Sequence, residues 1–253
     1  MSKIFRSIQV YFPFLQDLKY KLRFGKMKLL KRVHDDDFEL MKWFQPSSDQ
    51  VFVDIGSNRG EAITSMLIMN KFKIKIIGFE PNFQIFKKLE GYLSREKNVI
   101  LHNIGLGDSQ TSKKLYTPIY LKWIFDGLAS FKHEYAKNWL QNRMYFFREN
   151  FLLISESNCN IETLDNFNLN PYFIKIDVQG FEPEVLKGAK ETLTKHTPIL
   201  LIESLNKECA EYLMPLGYKF YSYGKEGLKE GFGNLNTFCI VQKNYPELKK
   251  LLK

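Results

Sequence analysis

From residue 51 onward the chain alternates short, nearly continuous apolar runs with stretches whose apolar residues recur every three to four positions. That alternation predicts an α/β sheet. Val51–Ile55 reads as the first strand, Glu61–Phe72 as a helix with Ile63, Met66, Leu67 and Met69 on one face, and Ile74–Phe79 as the second strand. Phe83–Arg95 follows as an amphipathic helix and Val99–Asn103 as the third strand. After a long interruption the rhythm returns with Tyr172–Val178 as a strand, Pro183–Lys195 as a helix, Ile199–Glu203 as a strand, and Lys207–Leu216 as a helix stopped by Gly217. Lys219–Tyr223 and Thr237–Gln242 read as a closing antiparallel pair across a glycine-rich loop, and Pro246 opens a short terminal helix. Apart from Lys75 and Lys175, the central strands are apolar almost throughout, which suits strands covered on both faces and a mostly parallel sheet.

Residues 109–165 break the pattern. They are polar and aromatic, with Trp123, Phe131, Tyr135, Trp139 and Phe151 among them, and Glu134–Arg148 is the part that reads as helical. An insertion of this length between strands is expected to serve as a lid or a binding wall. The predicted organisation is a basic, aromatic arm over 1–45, an α/β domain over 46–245 that contains the insert, and a helical tail over 246–253.

Charge adds one feature. The net charge is +9, and residues 1–33 hold nine Lys and Arg against the single acid Asp17, so the rest of the chain is nearly neutral. A near-neutral body without a basic stripe argues against nucleic acid as a partner. The arm interleaves its cations with Phe5, Tyr11, Phe12, Phe14, Tyr20 and Phe24. It reads either as a surface for an anionic membrane or a phosphate-bearing substrate, or as a solvated helix whose aromatics pack on the body. Pro13, Gln16 and Asp17 interrupt its apolar patch, so a signal peptide is not expected, and no apolar run is long enough to span a membrane. Cys159, Cys209 and Cys239 stand far apart, as free thiols of a cytoplasmic protein would, and the four histidines lack zinc-ligand spacing.

In a parallel sheet, ligands bind beyond the carboxyl ends of the strands. The first strand runs into Asp54-Ile55-Gly56-Ser57-Asn58-Arg59-Gly60. Gly56 and Gly60 allow a tight turn, and the helix start behind them offers unpaired N–H groups. A dinucleotide loop would read GxGxxG; here Asn58 replaces the middle glycine, and Asp54 would repel a pyrophosphate. Asp54 could instead accept from an ammonium group, directly or through water, which suggests S-adenosylmethionine. Glu80, 20 residues after Gly60 at the tip of the second strand, can accept both ribose hydroxyls, and Asn82 can cap the next helix. Asp108, in a small-residue turn after the third strand, could accept from the adenine amine. Asp177 at the end of the fourth strand and Glu182 at the following helix start are the candidates to orient a hydroxyl and take its proton. Each acid also has a plainer reading as a cap or turn anchor.

Taken together, Val51–Gly60, Gly78–Asn82, Ile104–Asp108, Thr163–Asp165 with Ile174–Gly188, and Ile199–Glu203 resemble the FkbM-type methyltransferases, a branch of the Rossmann-like S-adenosylmethionine-dependent enzymes. The resemblance implies a mostly parallel seven-stranded sheet with one antiparallel strand, helices on both faces, and methyl transfer to an oxygen of a sugar, glycan or natural product. It assigns Asp54, Gly56, Ser57, Asn58 and Gly60 to the cofactor loop. Glu80, with Asn82, falls to the ribose, Asp108 to the adenine side, and Asp177, Gly180 and Glu182 to a second signature. Ser57 stands where alanine is usual, and Gln179 where the signature has glutamate. A divalent metal between strand-end carboxylates is compatible with the pattern but not demanded by it. Two other functions fit the same fold: a nicotinamide-dependent oxidoreductase, disfavoured by the loop, and a non-catalytic protein docking on a membrane or partner, which Gln179 keeps open.

Overall fold

The computed structural model describes residues 3–252, so Met1, Ser2 and Lys253, at the ends of the expected arm and tail, lie outside the described residues. Strands β1 (Val51–Ile55), β2 (Lys75–Phe79) and β3 (Val99–His102) run parallel, in that order from the centre outward. Two short strands and two long ones follow, β4 (Gly105–Leu106) just before the insert, and β5 (Thr111–Tyr120), β6 (Trp123–Ile124) and β7 (Leu152–Glu162) within it. The main sheet resumes with β8 (Pro171–Ile176) and β9 (Ile199–Glu203), parallel to β1, and ends in β10 (Lys219–Gly224), β11 (Gly227–Glu230) and β12 (Asn236–Ile240). Its order is β11-β10-β12-β9-β8-β1-β2-β3, with β12 antiparallel to both neighbours. The expected seven strands are therefore present with one antiparallel member. An eighth, β11, is added at the edge, because the glycine-rich loop folds back as a hairpin on β10.

Neighbouring residues of each central strand feed opposite cores. Phe52, Ile76, Phe173 and Leu201 face one side, where they meet Ile63 and Met66 of α3 (Glu61–Met69) and Leu89 and Leu93 of α4 (Phe83–Leu93). Val53, Ile77, Ile174, Leu200 and Ile202 face the other side, against α6 (Glu182–Lys187), α7 (Lys190–His196) and α8 (Lys207–Leu213). This two-sided burial explains the unbroken apolar runs. The single helix expected over Pro183–Lys195 is two helices. At the break, Gly188 lies so close to Gly107 that an added Cβ would sit 1.8 Å from its carbonyl oxygen. The Asp165 carboxylate caps α7 by accepting from the N–H groups of Glu191 and Thr192.

The insert folds mainly as a second sheet. β5 and β7 pair antiparallel from Thr111↔Ile161 to Tyr120↔Leu152, with β4 and β6 at the margins. The helix expected around Glu134–Arg148 shrinks to α5 (His133–Asn138). The arm forms α1 (Lys3–Gln9) and α2 (Gln16–Leu30), and Phe24 and Met27 of α2 pack inward. Val10 joins Tyr120, Trp123 and Phe125 in a small third core, which seats the arm on the insert. The three cysteines are free and buried. Among the described residues no helix is long and apolar enough to cross a membrane.

Candidate functional site

Backbone hydrogen bonds tie the strand tips together. The N–H groups of Gly56 and Ser57 donate to the Phe79 carbonyl, Asp177 N donates to Ile55 O, and Glu80 N donates to His102 O. Gly56 is left-handed at φ 83°, and an added Cβ would stand 1.9 Å from the Asp177 carbonyl oxygen. No side chain fits there. Gly56→Ala is expected to cost on the order of 3 kcal/mol or more, from backbone strain and overpacking together. Urea unfolding would read this as a lowered midpoint at unchanged slope.

Glu80 is buried at the tip of β2. Its Oε2 accepts from Asn58 N at 2.7 Å and its Oε1 from Asn82 N at 2.9 Å. One carboxylate thus fastens the glycine loop to the start of α4, while Asn82 caps α4 through its own side chain. Burial raises the Glu80 carboxyl to about 7 despite the two N–H donors. Asp54 lies sealed beneath the loop. Both of its oxygens lack a hydrogen-bond partner among the described residues, and burial lifts it to about 6 against the pull of Lys175. The Ser57 hydroxyl donates to the Asp54 carbonyl, and the residue lines one of the two clefts beyond the strand tips.

Two clefts open beyond these tips. The first, a narrow one, is lined by Asn58, Glu80 and Pro81, by Asp177 to Gln179, and by Leu115, Ala129 and Phe131 of the insert. The second, of about 310 Å³, is lined by His34, Glu61, Trp139, Lys175, Asp177 and Glu203 among others. They share Gly56, Asn58, Gly127, Asp177 and Gln179. The divide is the contact of Asn58 with Gly127, where an added Cβ would lie 3.1 Å from the Asn58 amide nitrogen. The insert therefore supplies wall to both clefts.

At the divide sits a cluster that the sequence reading only half found. Asp177 Oδ2 pairs with Lys175 Nζ at 2.9 Å, and its Oδ1 accepts from the Gln179 amide at 2.7 Å. The same amide reaches Glu203 Oε2 at 3.3 Å. Burial alone would raise Asp177, but Lys175 and the hydrogen bonds from Glu203 and Gln179 hold it below the usual carboxylate range. Glu203 is pushed well up by burial and by the Asp177 charge, so it carries the proton the pair shares. Gln179, the departure from the family signature, is thus the donor that bridges the two acids; a glutamate there would add a second negative charge beside Asp177.

Two expected residues lie elsewhere. Glu182 turns inward: it is 5% exposed, and its Oε1 accepts from the N–H groups of Val178 and Gly180. It holds the turn that presents Asp177 and lines neither cleft, so it is not placed to take a proton there. Asp108 is exposed, accepts from the Ser109 hydroxyl, and also lines neither cleft; the adjacent Gly107 packs on Phe181 and Ile161.

A further network was not foreseen. The buried guanidinium of Arg59 bonds Asp126 of the insert at 2.5 Å and Asp17 of the arm at 2.6 Å, and stacks on Tyr20. Lys88 also pairs with Asp17. Arg59 so locks arm, loop and insert together. Lys175 carried a signal in the sequence: a lone charge within a strand apolar on both faces needs a buried partner. Arg59 carried none, since its partners lie 42 and 67 residues away. Among the described residues, no group of three or more His, Cys, Asp or Glu side chains is placed to hold a metal ion.

The strand order, with its crevice beyond the carboxyl ends and one antiparallel strand near the edge, defines a Rossmann-like methyltransferase fold. A family model described as the methyltransferase FkbM domain matches residues 54–220, and the chain belongs to that family. Among solved structures, the methyltransferase FkbM from Methylobacillus flagellatus KT is similar at 16% identity and a TM-score of 0.51. The match covers 78% of this chain but only 44% of that one, so this chain spans less than half the length of that protein. A SAM-dependent O-methyltransferase from Thermotoga maritima is similar at 10% identity and a TM-score of 0.41, over 86% of this chain and 70% of that one. No curated protein matches the sequence.

Proposed function

We propose that the protein transfers the methyl group of S-adenosylmethionine to a hydroxyl of a sugar, a glycan or glycolipid, or a related natural product. The observation that carries this reading is Glu80. Its two oxygens are each fixed by one backbone N–H, and their remaining lone pairs belong to a wall of the first cleft, where two ribose hydroxyls can donate. Gly56, Asn58 and Gly60 shape the loop that leads from there to the divide. The unpartnered Asp54 carboxylate beneath the loop attracts the cofactor's ammonium group through an intervening water.

When bound, S-adenosylmethionine supplies an electrophilic methyl on a sulfonium and leaves as S-adenosylhomocysteine. The protein's own task is alignment and exclusion of water, which in favourable cases supplies roughly 7–11 kcal/mol. Asp177 stands where the two clefts meet. With the cofactor on the Glu80 side and the acceptor in the second cleft, Asp177 accepts the hydrogen bond of the acceptor hydroxyl and turns its lone pair toward the divide. Lys175 makes Asp177 a weak base. A weak base suffices, because the hydroxyl proton becomes strongly acidic once the oxygen–carbon bond is forming.

Titration calorimetry tests the reading: the protein is expected to bind S-adenosylhomocysteine and not NADH. NADH binding, or binding of neither, would count against it. A pH dependence follows as well. Ribose hydroxyls favour the ionised form of Glu80, whose carboxyl titrates near 7 in the free protein. Affinity for S-adenosylhomocysteine is therefore expected to fall about tenfold from pH 8 to pH 6. Stability of the free protein should move the opposite way. Carboxyls raised to about 6 at Asp54 and about 7 at Glu80 contribute stability below their unfolded values, and it is lost as the pH rises through the folded ones. Scanning calorimetry without ligand should show the thermal midpoint falling between pH 5 and pH 8.

A further inference from the structure

The arm carries two apolar faces, and the body covers only one. Along α2, Tyr20, Phe24 and Met27 turn toward the body, while Leu15, Leu18, Leu22 and Leu29 follow helical spacing on the opposite side and are exposed, Leu22 at 65% and Leu29 at 82%. Phe12 and Phe14, in the link between the helices, and Ile4, Phe5 and Ile8 of α1 extend the same surface, with Phe14 75% exposed. Together Phe5, Ile8, Phe12, Leu15, Leu18 and Leu22 line an almost wholly apolar groove of about 630 Å³. An uncovered surface of this size is unusual on a chain that exposes nothing comparable in its central sheet.

Charge settles what covers it. At 100° per residue, the leucine stripe of α2 is bordered on one side by Lys19, Arg23 and Lys26 and on the other by Lys21 and Lys28; Arg23 and Lys28 also pair with Glu61 and Glu96 of the body, so Lys21 and Lys26 contribute most of the charge to this face. Asp17, the only acid of residues 1–33, faces away, bound to Arg59 and Lys88. An apolar stripe with cations along both borders matches the boundary between headgroups and acyl chains of an anionic bilayer. We propose that this face of the arm docks on an anionic phospholipid surface, with its leucines and phenylalanines in the acyl boundary and its lysines among the phosphates.

The docking surface also adjoins the site. The groove shares Arg23 and Lys26 with a depression that also includes Arg32 and His34, and His34 lines the second cleft at the strand tips. Adjoining depressions thus run from the docking surface to the cleft that Asp177 lines. The docking itself does not depend on the methyl-transfer reading.

Co-sedimentation of the full chain with vesicles tests it. Vesicles of phosphatidylcholine mixed with phosphatidylglycerol are expected to bind at least about tenfold more tightly than phosphatidylcholine alone, and added salt should weaken the binding. Phe14→Ser with Leu22→Ser should abolish it, and Lys21→Glu with Lys26→Glu should remove its preference for anionic lipid. Unchanged circular dichroism and thermal midpoint would show that these surface variants are folded. The proposal fails if anionic vesicles do not bind, or if the serine variant binds them as the parent does. It also fails if sedimentation velocity shows a dimer that the serine changes dissolve, which would put a second copy on this face. Binding of dispersed short-chain phosphatidylglycerol without vesicle binding would overturn it too, making the groove a site for single lipids.

Discussion

Glu80→Ala is expected to lower the affinity for S-adenosylhomocysteine on the order of 10²–10⁴-fold, from the loss of two hydrogen bonds to a charged acceptor at about 1.5–3 kcal/mol each. Part of that loss comes from the loop itself. Without the carboxylate, the N–H groups of Asn58 and Asn82 lose their acceptor, and the turn that carries Gly56 is no longer tied to α4. Glu80→Gln separates the two contributions. The amide oxygen keeps one of the two N–H contacts but offers no charge, so its affinity should fall between those of the parent and the alanine variant. The difference between the glutamine variant and the parent should also vanish at low pH, where the parent carboxyl is itself protonated. Calorimetry at pH 8 and pH 6 reads both effects.

Asp177→Asn is expected to leave S-adenosylhomocysteine affinity within about threefold of the parent and to reduce turnover on the order of 10²-fold or more, the range for loss of a positioned proton acceptor. The fold should tolerate the change, because the cluster can rebalance. With the Asp177 charge gone, the main neighbour that keeps Glu203 protonated is gone too, and Glu203 can ionise to balance the buried ammonium of Lys175. The variant should therefore show a nearly unchanged thermal midpoint together with an altered pH–rate profile. Turnover equal to the parent's would remove Asp177 from the chemistry.

The same physics that buries each part of the molecule sets how much of it is legible from residues alone. Val51–Ile55, Lys75–Phe79 and Ile199–Glu203 were plain because both faces of each strand are covered, leaving apolar runs a few residues long between turn signals. The break at Gly188 was hidden, since the periodicity of residues 183–195 continues across it and only contact with Gly107 forbids one straight helix. The strand pair of the insert is hidden for a related reason. β5 and β7 are half exposed and polar, and more than 30 residues separate them, so no short hairpin turn announces the pair.

The site divides along the same line. Residues whose roles arise at a strand tip, such as Gly56, Asn58, Glu80 and Asp177, follow from topology, because a parallel sheet gathers its carboxyl ends on one edge. Glu203 ends the next strand, and the same rule reaches it. Glu182 and Asp108 satisfied that rule in position but not in direction: one side chain folds under its own turn, and the other points to solvent. Arg59 with Asp17 and Asp126 joins three segments that no local pattern brings together.

A crystal structure of the protein with S-adenosylhomocysteine tests the central claim most directly. The ribose is expected at Glu80, with the sulfur at the Asn58–Gly127 divide and facing Asp177, and with open volume beside it on the His34 and Trp139 side. Density for the ligand at any other place, or a complex in which Glu80 touches no hydroxyl, would contradict the assignment of cofactor and acceptor to the two clefts.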